Sequence, residues 1–116
     1  MLLEQKKKHF EKLLKRNISY IIYKKTKDPR IGFVTITRID MSNDLRNAKI
    51  YISILGTKEE QEKSMKGLRS ATNFIRSELA YELKKYRFIP ELHFYYDKEL
   101  EKVYQLMIQM NKLEKD

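Results

Sequence analysis

Two apolar runs with period-two alternation, separated by a cluster of turn formers, restrict this chain more than any other feature of it. Residues 33–40 (FVTITRID) and 48–55 (AKIYISIL) are rich in β-branched and aromatic side chains, and Ser42, Asn43 and Asp44 stand between them. Short polar side chains at such a point satisfy neighbouring backbone groups, so the two runs read as the strands of a hairpin. In the second run Ala48, Ile50, Ile52 and Ile54 share one face while Lys49, Tyr51 and Ser53 share the other. One face therefore packs, and the other meets solvent or a partner. Just before the hairpin lies KDPRIG, residues 27–32. Pro29 disfavours helix at Asp28 and Gly32 frees the backbone ahead of an extended run, so a preceding helix must stop here.

That helix covers about residues 4–25, with Phe10, Leu14, Ile18, Ile21 and Ile22 spaced as an apolar stripe and Lys8, Lys12, Lys15 and Arg16 on other faces. Residues 58–86 form a second amphipathic pattern with Met65, Leu68, Ala71, Ile75, Leu79 and Leu83 inward. An unbroken helix of that length would overshoot a domain of 116 residues. Thr72 and Asn73 are the weakest helix formers near its middle, and Asn tolerates left-handed backbone angles, so the break is expected there. After Pro90, Leu92, Phe94 and Tyr96 alternate with His93 and Tyr95 as a third strand, and residues 98–112 make a last helix presenting Leu100, Val103, Tyr104 and Met107. The order α-β-β-α-α-β plus a terminal helix predicts an α+β fold, a three-stranded sheet with helices against its apolar face. The chain is long enough for one core and too short for two.

Composition bears on function through charge. Twenty-five Lys and Arg against sixteen Asp and Glu give +9, and residues 1–30 carry +7 of it. A basic excess concentrated on one helix suits a polyanion, because each neutralised phosphate releases counterions; the alternative is a solvated lysine face. Cysteine is absent, which removes disulfides, thiol catalysis and cysteine metal sites and fits a reducing cytoplasm. Neither an apolar leader nor a run of membrane-spanning length is present, so the expected location is cytoplasmic, with no membrane partner.

Catalytic constellations are missing. His9 and His93 are the only imidazoles, and Glu59, Glu60, Glu62, Glu78 and Glu82 fall at helix starts or exposed helical spacings. There is no P-loop, GxSxG, HExxH or DxDxDG, and the reading is a non-enzyme with no metal, no cofactor and no small-molecule substrate. Candidate RNA contacts are Lys6, Lys7, Lys8, Lys12, Lys15, Arg16, Lys27, Arg30, Arg46, Lys49, Arg76, Lys84, Lys85 and Arg87, with Arg38 and Arg69 also available. Two of these carry an even choice. Arg30 is either a rigid phosphate contact or the partner of a carboxylate across the fold, with Asp28 capping the turn; Arg76 either meets RNA beside the helix break or pairs with acids on its own helix. Tyr51, His93 and Tyr95 either stack on unpaired bases or are ordinary strand aromatics covered by the terminal helix.

The string KDPRIGFVTITRIDMSNDLRNAKIYISILG, continued through residues 68–76 and 89–97, resembles the ribosome-binding factor A family over most of the chain. The resemblance implies a type II KH-like RNA-binding domain over residues 1–97, with residues 98–116 a C-terminal helix and tail packed on it or extending from it. It also implies a monomer that associates with the free small (30S) ribosomal subunit and assists late maturation of its 16S rRNA, including 5′-end processing, with a role in cold adaptation. In the family the junction of the two central helices is an Ala-x-Gly kink standing where RNA-binding KH domains carry a GxxG loop. Here it reads Ala71, Thr72, Asn73, so asparagine replaces the glycine. The only glycines are Gly32, Gly56 and Gly67, which excludes a GxxG clamp. The competing readings are a nonspecific basic nucleic-acid-binding module and a protein-interaction module for an acidic partner.

Overall fold

The hairpin forms as the alternation dictates. In the computed structural model, which describes residues 2–86 and 88–114, strands β1 (Val34–Met41) and β2 (Asn47–Ile54) pair antiparallel. Asp44 Oδ1 accepts from the Ser42 hydroxyl at 2.6 Å and from Arg46 N–H at 3.1 Å, and Asn47 N–H donates to Ser42 Oγ at 3.0 Å. The turn closes through Leu45, the one non-glycine residue among those described with a left-handed backbone, φ 62°. A Cβ in that region costs roughly 1–2 kcal/mol. Packing of the half-buried Leu45 side chain against the core offsets the cost.

β3 (Glu91–Tyr96) lies parallel to β2, so the sheet is mixed with order β1-β2-β3. A parallel neighbour requires a crossover, and α2 (Lys58–Ser70) and α3 (Thr72–Glu82) supply it. Together with α1 (Leu2–Lys24) they cover one sheet face. Leu14, Ile18 and Ile21 of α1, Leu68 of α2, and Ile75 and Leu79 of α3 meet Ile50, Ile52 and Phe94 there, all buried. The result is a type II KH-like α+β fold with a terminal helix α4 (Lys98–Glu114).

A bulge between Ile36 and Arg38 makes Thr37 an extra residue in β1. That shift lets Ile36 and Ile39, an odd number of positions apart, both face the core. The Thr37 hydroxyl lies 2.6 Å from Asp97 Oδ2, and Asp97 Oδ1 accepts from Leu100 N–H at 3.0 Å. Asp97 is buried, and these two bonds hold its carboxyl below the usual carboxylate range, the one from Thr37 contributing most. It thus caps α4 and ties that helix to the bulge. Asp97→Ala is expected to destabilise by about 1–2 kcal/mol, with faster amide exchange in the first turn of α4 as the measurement.

Beyond its capped start, α4 exposes Val103, Tyr104, Met107 and Met110, each more than half accessible. The radius of gyration, 16.2 Å, exceeds the roughly 13 Å of a compact chain of this length.

The break between the central helices falls at Ala71, φ −87° and ψ 0°, one residue before the expected pair. Ala71 N–H is shared between Gly67 O (2.9 Å) and Leu68 O (3.1 Å), and Thr72 Oγ1 donates back to Leu68 O at 3.1 Å. A shared bond tightens the last turn and a back-bonded threonine bends the axis, so no left-handed residue is needed. Ala71 is the kink residue; Asn73, expected to share that role, is exposed and helical within α3. Asn73→Ala should therefore stabilise by about 0.5 kcal/mol and Asn73→Gly should cost a few tenths, a ranking that thermal melts read directly and that a left-handed site would invert.

Candidate nucleic-acid interface

The outer side of α1 follows from its stripe. With Leu14, Ile18, Ile21 and Ile22 buried, Lys8, Lys12 and Arg16 fall in line one turn apart with Lys15 beside them, and all four are exposed. Lys6 is exposed and Lys7 half-buried on the first turns. Among the described residues the only ion pair is Arg30 with Asp28, so the α1 cations stand without carboxylate partners. A row of unneutralised charge on a rigid helix is the geometry that exchanges counterions for phosphates.

The KDPRIG turn is docked onto α2 near the kink. Ser64, buried on α2, accepts from Gly32 N–H at 3.0 Å and donates to Arg30 O at 3.2 Å. Gly67 is required by contact: a Cβ there would stand 2.7 Å from Ile31 Cγ1. Arg30 Nε and Nη2 grip the Asp28 carboxylate at 2.6–3.1 Å. These side-chain bonds, helped by Arg30 N–H, pull the Asp28 carboxyl down to about 2. The carboxylate that Arg30 meets is thus local, two residues away, and not across the fold as one of the two alternatives had it. Lys25, Lys27, Phe74 and Ala71 surround a shallow hollow beside this turn.

The sheet face opposite the helices is open. Register places Arg38, Tyr51 and Tyr95 in one row and Asp40, Lys49 and His93 in the next. The Arg38 guanidinium sits 3.8 Å from the Tyr51 ring centroid, and the Tyr51 and Tyr95 rings stack at 5.7 Å. His93 Nε2 lies 3.0 Å from Asn47 Oδ1. Tyr95 remains 41% exposed, so the terminal helix leaves the Arg38–Tyr51–Tyr95 row open, while its Tyr104 and Ile108 border the far end of the face at Thr35 and Ser53.

Other expected contacts are dispersed. Arg76 donates to Pro90 O (3.2 Å) and Ile89 O (2.9 Å), pinning the segment that enters β3. This corrects the pairing of Arg76 with acids on its own helix, since a loop carbonyl had no signature in the sequence. Lys84 and Lys85 sit over the Tyr81 and Tyr86 rings at 5.4 and 5.7 Å, and Arg46 is exposed beside the hairpin turn. Arg87 lies outside the described residues. The described residues contain no group of three metal-capable His, Asp or Glu side chains, and no helix long and apolar enough to cross a membrane.

These features describe a small KH-like protein with a basic helix and no clamping loop. The family model "Ribosome-binding factor A" matches residues 6–108. Relatives of that name from Natranaerobius thermophilus (45% identical, 91% of this chain, 82% of theirs) and Dictyoglomus thermophilum (42%, 96% and 92%) align nearly throughout. The chain belongs to the ribosome-binding factor A family. A crystal structure of ribosome-binding factor A from Thermus thermophilus superposes with TM-score 0.67 at 25% identity, covering 76% of this chain and 91% of that one. A homology model of Thermus thermophilus ribosome-binding factor A, fitted into a cryo-EM map of a 30S–RbfA complex, superposes with TM-score 0.62, also at 25% identity, covering 75% and 90%.

Proposed function

We propose that this protein binds the free small ribosomal subunit and assists late maturation of its 16S rRNA, including processing of the 5′ end, most necessarily in the cold. It acts in the cytoplasm as a monomer, by occupying and remodelling RNA structure, with no substrate turned over. Residues 1–97 form the RNA-binding unit, with Lys8, Lys12, Lys15 and Arg16 its main phosphate contacts and Lys6, Lys27, Lys49, Lys84 and Lys85 secondary ones. The observation that carries the reading is the unpaired basic row on α1, set on the fold of a relative fitted into a 30S complex.

A nonspecific polyanion binder distributes over particles in proportion to accessible phosphate, because the counterion effect reads charge density alone. A factor whose docked turn and basic helix meet RNA at fixed relative positions favours one particle. Sucrose-gradient sedimentation of the tagged protein should show comigration with free small subunits and little with joined ribosomes, and depletion should raise precursor 16S rRNA, most at low temperature. Equal recovery across particles at moderate salt, with normal RNA processing after depletion, would sink the reading.

A further inference from the structure

We propose that the groove between the first turns of α1, the hairpin turn and the segment entering β3 takes an unpaired nucleobase of RNA. This rests on the RNA-binding reading above and adds a ligand class at a place apart from the phosphate row. The groove encloses about 520 Å³. Its floor is aromatic: the Phe10 and Tyr86 rings meet at 5.4 Å, tilted by 59°, and Phe88 beside them is 47% exposed. Leu45, held at φ 62°, forms one wall.

The rim separates a nucleotide from other apolar guests. Gln5 and His9 lie one helical turn apart on α1 and border the groove, setting an amide and an imidazole where the polar edge of a flat ring would emerge. Lys6 lies between them in sequence and also lines the groove, and Lys85, outside the lining, holds its Nζ 5.7 Å from the Tyr86 ring centroid. Among the described residues no carboxylate lines the groove. A ligand that is flat and apolar at one end and anionic at the other uses every part of this surface. An apolar peptide side chain would fill the floor and leave the lysines unused. Lys8 and Lys12 are exposed on a neighbouring side of the same helix, so a strand whose phosphates follow α1 has a base within reach of the groove.

The test uses the full chain with a short single-stranded RNA carrying one 2-aminopurine, and a duplex RNA of equal length. Stacking should quench the 2-aminopurine in the single strand. Phe88→Ala and the Gln5→Ala/His9→Ala double variant should each weaken single-strand binding by roughly 5- to 100-fold, leaving its salt slope and the duplex affinity unchanged. Phe88→Leu keeps the apolar volume while removing the ring face, and should lose as much as Phe88→Ala. If Phe88→Leu binds like the parent, or if both RNAs weaken together, the nucleobase groove is wrong while RNA binding through α1 stands. Failure of the parent protein to bind any RNA overturns both readings.

Discussion

Replacing Lys8, Lys12, Lys15 and Arg16 by glutamate together should flatten the salt dependence of RNA binding by about 3 units of log–log slope, at about 0.7–0.9 units for each phosphate left unneutralised. The four side chains are exposed and the stripe that anchors α1 lies on other faces, so helicity and melting temperature should change little. Affinity at low salt should fall most, because screening is weakest there. Isothermal titration across a salt series, with circular dichroism as the fold control, measures both. An unchanged slope in a folded variant would move the electrostatic surface to Lys27, Lys84, Lys85 or the open sheet.

How much of this was legible beforehand depended on whether the controlling contact was local. The helix stripe, the hairpin with its Ser42–Asp44 turn and the third strand are set by spacing and turn chemistry within a few residues, and they stand close to where the sequence placed them. The kink was expected at Thr72–Asn73 from propensity. It falls at Ala71 because a shared backbone bond and the Thr72 hydroxyl decide it, and propensity alone carries neither. The bulge at Thr37 was missed, although the odd spacing of Ile36 and Ile39 was the available signal. Charge identified the α1 row. It could not separate Arg76, which serves loop carbonyls, from the free cations, since partners 13 and 14 positions distant leave no pattern. The groove joins three segments remote in sequence, around Phe10, at Leu45 and at Tyr86 with Phe88, and none of them is distinctive by itself.

The docking of the KDPRIG turn on α2 links stability to selectivity. Ser64→Ala removes one hydroxyl and leaves Gly32 N–H and Arg30 O without their partner, at a cost of about 1–3 kcal/mol, read as a lowered melting temperature. Gly67→Val acts differently. Glycine inside a helix is unfavourable by roughly 1 kcal/mol against alanine, so a larger residue would improve α2 if there were room. There is none: the new Cβ would stand 2.7 Å from Ile31 Cγ1 and 3.3 Å from Arg30 Cβ. Overpacking of this kind costs about 1–3 kcal/mol or pushes the turn away from the helix. Displacing the turn moves Lys27 and Arg30 relative to α1 while every cation on α1 stays in place. Gly67→Val should therefore keep the salt slope for free RNA and lose preference for the free small subunit over other particles. That separation is the signature of shape fitting, because charge density is unchanged. If Gly67→Val sediments with the same particle preference as the parent, the turn is scaffold alone and selectivity lies elsewhere on the surface.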